Sequence, residues 1–129
     1  MTTLSYVNVF THDLQKLPDF YMTLFGFTEV EEMRSPIFRG IRAGDCKIGF
    51  NAQDAYGLLK LDAFAAPTGV KFLLNFDVDS RADVDRITPL AIEQGATLVK
   101  PPYDTYYHWY QSVLFDPEGN VFRINYAGG

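Results

Sequence analysis

Phe115-Asp116-Pro117-Glu118-Gly119-Asn120 lies at the join of two β-forming runs, Tyr107 to Phe115 and Val121 to Tyr126. Its Asp, Pro, Gly and Asn are turn residues, so the three segments read as strand, turn and strand. Upstream, Ala96 to Lys100 is a further strand. Before it, Ser80 and Asp83 form a capping box for a helix that shows Val84, Ile87, Leu90 and Ala91 on one face and closes at Gly95. Pro89 falls inside that helix and is expected to kink it, because it removes a backbone donor and crowds the preceding turn. Lys71 to Val78 is the strand that leads in, and the order is βαβββ.

The first half of the chain has the same order. Leu4 to Phe10 alternates as a strand, and Thr11-His12-Asp13 supplies capping groups ahead of Leu17, Phe20, Tyr21, Leu24 and Phe25 at helical spacing. Pro18 belongs in the first turn of that helix and Gly26 at its left-handed end. Strands Phe27 to Met33, Ile37 to Ala43 and Lys47 to Ala52 follow, the last two joined by a Gly44-Asp45 hairpin turn. Asn8 matches Asn75 at an offset of 67 positions, and Gly26 matches Gly95 at 69. The chain therefore reads as one domain made by duplication: module one over 1–52, a connection over 53–69 ending in Pro67-Thr68-Gly69, and module two over 70–129.

Composition narrows the function. A chain of 129 residues with net charge −5 and 47% hydrophobic residues has the make-up of a soluble domain, able to bury roughly two thirds of its unfolded surface without staples. The single Cys46 forms no internal disulfide and no Cys-based zinc site; it reads as a small strand residue, and a cytoplasmic location is expected. There is no signal-peptide pattern and no run of about 18 apolar residues, so a membrane is not expected as partner. An acidic balance without a basic cluster argues against nucleic acid. Aromatic residues are abundant, 20 of 129, and Tyr103, Tyr106, Tyr107, Trp109 and Tyr110 crowd one stretch, where some are expected to line a pocket.

Two βαβββ modules carrying Asp13-Leu14 ahead of Phe20-Tyr21, then Leu24-Phe25-Gly26-Phe27, and later Phe115-Asp116-Pro117-Glu118-Gly119-Asn120 resemble the vicinal oxygen chelate superfamily, also called glyoxalase/bleomycin-resistance/dioxygenase. The resemblance spans nearly the whole chain. It implies an α+β glyoxalase-like fold, a concave mixed sheet with helices on the outer face, and a symmetric homodimer. It also assigns four positions to a divalent metal in the metal-dependent members, which here hold Tyr6, Gly49, Leu73 and Arg123. These are not the common ligands, and Arg123 would repel the ion, so no metal and no cofactor is expected.

Period-two alternation then sorts the strands. Phe72, Leu74, Phe76 and Val78 face helices while Leu73, Asn75 and Asp77 face the cavity; Tyr6, Asn8 and Phe10 face it from the first strand, and Val121, Arg123 and Asn125 from the last. Asn8, Asn75, Asp77, Arg123 and Asn125 are thus expected to converge. Arg123 reads as a clamp for a ligand carboxylate, phosphate or enolate, or as an ion-pair partner of Asp77. Asn8 and Asn75 read as mutually paired or water-bound, or as ligand hydrogen-bonders. Tyr107, His108 and Trp109 stand near the cavity rim, with His108 a base or a stacking group if it acts. His12 reads as exposed or capping, and Glu29, Glu31 and Glu32 as a solvated strand face.

Two functions compete. One is a metal-independent small-molecule binder of the bleomycin-resistance type that holds its ligand in an aromatic cavity. The other is a glyoxalase-like lyase, isomerase or epimerase in which Arg123 stabilises an oxyanion and His108, Tyr6 or Asp77 moves a proton. A metal-dependent enzyme with relocated ligands is the weakest reading, since it needs the two histidines to meet. The net acidity favours a cationic ligand and Arg123 an anionic one.

Overall fold

The computed structural model describes residues 3–65, 70 and 72–128. The chain divides into two compact units, Met1–Thr68 and Gly69–Gly129, so the connection belongs with the first. Part of it is ordered as helix α2 (Asp54–Leu58) and a 3-10 turn at Asp62–Phe64. The expected Pro67-Thr68-Gly69 punctuation and Lys71 lie outside the described residues.

In the first unit, strand β1 (Tyr6–Thr11) leads to helix α1 (Lys16–Phe25), then β2 (Thr28–Glu29), β3 (Phe38–Ala43) and β4 (Cys46–Ala52). The sheet order is β1-β4-β3-β2, with β1 parallel to β4 and the rest antiparallel. Asp13 starts α1: its Oδ1 accepts the backbone N–H groups of Gln15 and Lys16 at 3.0 and 2.8 Å, and Gly26 ends it at φ 74°. Leu17, Phe20 and Tyr21 are buried, Tyr21 stacking on Phe50 of β4.

The expected strand Phe27 to Met33 is shorter than its alternation suggests. It pairs only over Thr28–Glu29, then tightens into a 3-10 turn, Glu31–Met33. Nor is Glu29 solvated: its side chain is 8% exposed and accepts hydrogen bonds from Arg34 and from Arg39 of β3. Arg34 first and Arg39 second hold its carboxyl down at about 2. The buried Arg39 also donates to Asp19 and to the carbonyls of Leu14 and Gln15 ahead of α1, so this ion network ties helix to sheet.

The second unit repeats the topology with β5 (Leu74–Asp77), α3 (Arg81–Glu93), β6 (Thr97–Asp104), β7 (Tyr110–Phe115) and β8 (Val121–Tyr126), ordered β5-β8-β7-β6. Ser80 caps α3 by accepting from the Asp83 N–H, and the helix runs on through Pro89. Thr88 meets Ser112 of β7 at 2.7 Å, and Val84, Ile87 and Ala91 bury against Leu114, Phe122 and Ile124. The Asp116 carboxylate organises the final turn, accepting from the backbone of Glu118 and Asn120 and from the Asn120 amide, with Gly119 at φ 85°. Three boundaries move. β5 begins at Leu74, which leaves Phe72 67% exposed and not packed on a helix. β6 continues past Lys100 to Asp104, through one register shift between Leu98 and Lys100 and a second, between Lys100 and Tyr103, that spans its two prolines. β7 begins at Tyr110, because Thr105 and Trp109 close a tight hairpin by backbone and hydroxyl bonds, with His108 at its left-handed position, φ 67°.

Candidate functional site

In each unit the strands turn one face to the helix and the other away from it. Matched row by row, the faces away from the helix differ. In the first unit the central row is Asn8, Gly49 and Gly40. A Cβ on Gly49 would stand 2.0 Å from Asn8 Oδ1 and 2.7 Å from the Phe38 ring, so those side chains fill the space above the glycine. Tyr6 packs edge-on against Phe38, and Phe10 stacks on Tyr56 at 3.9 Å. Tyr6 is thus half-buried against Phe38, while Asn8 remains exposed above Gly49.

The corresponding row of the second unit is Asn75, Arg123 and Val113. Arg123 Nε donates to Asn75 Oδ1 at 2.9 Å, and its Nη1 lies 3.5 Å from the Tyr107 hydroxyl. Asn75 Nδ2 donates to Asp77 Oδ1, as does Asn125 Nδ2, each at 2.9 Å. The expected ion pair of Arg123 with Asp77 is therefore replaced by a relay: Asn75 accepts from the guanidinium and donates to the carboxylate. Among the described residues Arg123 forms no salt bridge.

Structure thus brings together Asn75, Asp77, Tyr107, Arg123 and Asn125, with Trp109 edge-on to Tyr107 at 5.2 Å. His108 is exposed on the hairpin and contributes a backbone bond, its N–H to the Thr105 carbonyl, and His12 is exposed in the bend before α1. Leu73 is exposed and lies before β5. Gln111 is an addition, opposite Asn125 in the ladder. Once β7 starts at Tyr110, the inward Leu114 sets Ser112 and Tyr110 on the helix side and Gln111 on the other.

A model of the Glyoxalase/Bleomycin resistance protein/Dioxygenase superfamily matches residues 3–124. The chain belongs to this superfamily. It is 57% identical to a glyoxalase/bleomycin resistance protein/dioxygenase family enzyme from Burkholderia phytofirmans PsJN, over 98% of this chain and 100% of that one, with a TM-score of 0.96. At 15% identity, a lactoylglutathione lyase from Agrobacterium tumefaciens shares the fold over 98% of this chain and 95% of its own, TM-score 0.73. TioX from Micromonospora sp. ML1 does so at 18% identity over 97% and 98%, TM-score 0.68. Among curated proteins none matches.

The family's divalent ion does not fit the residues present. Of the four positions that the resemblance assigns to it, Tyr6 and Gly49 are engaged in packing with Phe38, Leu73 offers no donor atom, and Arg123 brings a positive charge. Among the described residues no His, Cys, Asp or Glu cluster could hold a metal elsewhere, and no helix is long and apolar enough to cross a membrane.

Proposed function

We propose that this glyoxalase-superfamily protein is a small-molecule binder, working without a metal at the family's position, that grips an anionic group of its ligand with Arg123. The observation that carries the reading is the setting of that guanidinium. It stands mid-sheet on the face away from α3, oriented by Asn75 and Tyr107, with neutral partners only among the described residues. A fixed, partly exposed cation without a counter-ion among the described residues suits a carboxylate or enolate, to which a guanidinium donates charge-assisted hydrogen bonds. Tyr107 and Trp109 supply an aromatic surface beside it.

A lyase, isomerase or epimerase is the second reading, and the Burkholderia protein's description as an enzyme favours it. Arg123 would then stabilise an oxyanion. Of the expected proton carriers, Asp77 is the one tied into the Arg123 network; its Oδ1 accepts both amides, which leaves Oδ2 for the proton.

Titration of a metabolite library, followed by emission of the sole tryptophan, Trp109, tests both. Loss of a direct grip in Arg123→Ala is expected to weaken binding by about 1.5–3 kcal/mol, roughly ten- to hundredfold. Unchanged affinity would reduce Arg123 to a structural role. Ligand recovered intact supports binding alone, whereas turnover that vanishes in Arg123→Ala while binding persists supports the enzyme. One equivalent of a divalent metal in protein purified without chelator, lost together with function on chelation, would overturn the metal-free part. The family resemblance further supports a symmetric homodimer in solution, and a light-scattering mass of 14.6 kDa alone would contradict it.

A further inference from the structure

Next to the Arg123 row, Asp77, Asn125, Gln111 and Tyr103 stand side by side across β5, β8, β7 and β6. The two middle residues are amides, and each spends its NH2 group outward: Asn125 on Asp77, and Gln111 on the Tyr103 hydroxyl at 2.8 Å. Their carbonyl oxygens are left on adjacent strands. Asn125 is 0% and Gln111 2% exposed, and among the described residues neither Asn125 Oδ1 nor Gln111 Oε1 has a hydrogen-bond partner. The orientation of Asn125 is pinned, because a carboxylate only accepts and so must face the amide nitrogen. Two acceptors cannot satisfy each other, and a buried carbonyl oxygen without a donor is unfavourable.

A donor from outside the chain would satisfy both oxygens at once. Two residues along the strands, about 7 Å away, Arg123 presents Nη2 without a protein acceptor among the described residues. The hairpin that carries Tyr107 lies beyond Gln111, so Arg123 and Tyr107 reach toward each other across this same row.

We propose that this face recognises a ligand with two unlike ends, a protonated amine or primary amide held by Asn125 Oδ1 and Gln111 Oε1, and a carboxylate held by Arg123. This rests on the anion-gripping role proposed for Arg123 and deepens it to a ligand class: small zwitterions and amide-bearing acids. Asp77, hydrogen-bonded to Asn125, adds negative charge at the amine end. The opposed hints of an acidic protein and a central arginine are thereby reconciled, since each addresses a different end. Phe10, Asn51 and Phe38 stand in the equivalent row of the first unit, where two of the three polar groups are replaced by rings.

The test titrates γ-aminobutyrate, butyrate and butylamine into the full chain, followed by Trp109 emission and calorimetry. γ-Aminobutyrate is expected to bind at least tenfold more tightly than either one-ended probe. Asn125→Leu is expected to bring it down to the level of butyrate while leaving butyrate unchanged, and Gln111→Leu serves the same purpose should Asn125→Leu not fold. Equal affinity for γ-aminobutyrate and butyrate in the wild type would overturn this inference, yet leave the acid grip standing. Butyrate binding that is indifferent to Arg123→Met would instead overturn the grip itself. Binding of none of the three overturns the two-ended reading alone, because the library titration probes the grip with other acids.

Discussion

Both units are built on one topology, and Arg39 of the first and Arg123 of the second stand on opposite sides of it. In the first, Arg39 of β3 turns toward α1 and is neutralised by Glu29 and Asp19, while the other face carries Gly40 and Gly49 beneath Phe38 and Asn8. In the second, the position equivalent to Arg39 is Ser112, bonded to Thr88 of α3, and the position equivalent to Gly49 is Arg123, directed away from the helix. A buried charge demands a partner from the chain itself; a charge on the opposite face can wait for one from solution. One unit is thereby specialised for cohesion and the other for recognition.

The sharpest way to break this contrast is Glu29→Gln. It leaves Arg39, with a side chain 8% exposed, with Asp19, itself nearly half exposed, as its one carboxylate among the described residues, and is expected to cost about 3–5 kcal/mol in urea denaturation. A loss below about 1 kcal/mol would mean that the network is not what holds α1 to its sheet. The same pair governs acid stability. The folded carboxyl titrates at about 2 against an ordinary 4.5, so its contribution is complete above about pH 4.5 and is lost as pH falls toward 2. Acid unfolding curves should show Glu29→Gln converging on the wild type over that window.

Gly49→Ala comes next. The added methyl group must displace Asn8 and the Phe38 ring, at about 1–3 kcal/mol. Ser112→Ala, which leaves the Thr88 hydroxyl bonded to the Val84 carbonyl, is expected to cost about 1 kcal/mol. Least of all, Arg123→Gly, which copies the first unit's residue into the second, should change stability by under about 0.5 kcal/mol beyond the intrinsic cost of glycine in a strand, while weakening anion binding roughly ten- to hundredfold. A large destabilisation there would show that the recognition face is structural after all.

Much of this was legible in the chain. The Asn8 and Asn75 equivalence, the two terminating glycines and the Asp116 turn are local signals, and each is used locally. Arg123 and Asn125 followed from alternation outward from that turn. Glu29 was not legible, because Glu29, Glu31 and Glu32 look alike until Arg39, ten residues on, is laid beside the first of them. Gln111 was not legible, because its importance lies in the ladder partners Asn125 and Tyr103, and alternation fixes a face without fixing the register between strands. The relay through Asn75 required knowing which of its amide atoms faces which neighbour.

The covering of Gly49 has an evolutionary consequence. Duplication starts with two equivalent surfaces, either of which could be selected for a ligand. Once Phe38 and Asn8 have settled over paired glycines, a gain of side chain at Gly49 or Gly40 must first pass through a less stable intermediate, and that surface becomes a dead end for innovation. Positions 75, 113 and 123, none of them fully buried, carry no such debt. Descendants that acquire new ligands are therefore expected to accumulate their replacements in β5, β7 and β8, and to inherit β1, β3 and β4 nearly unaltered.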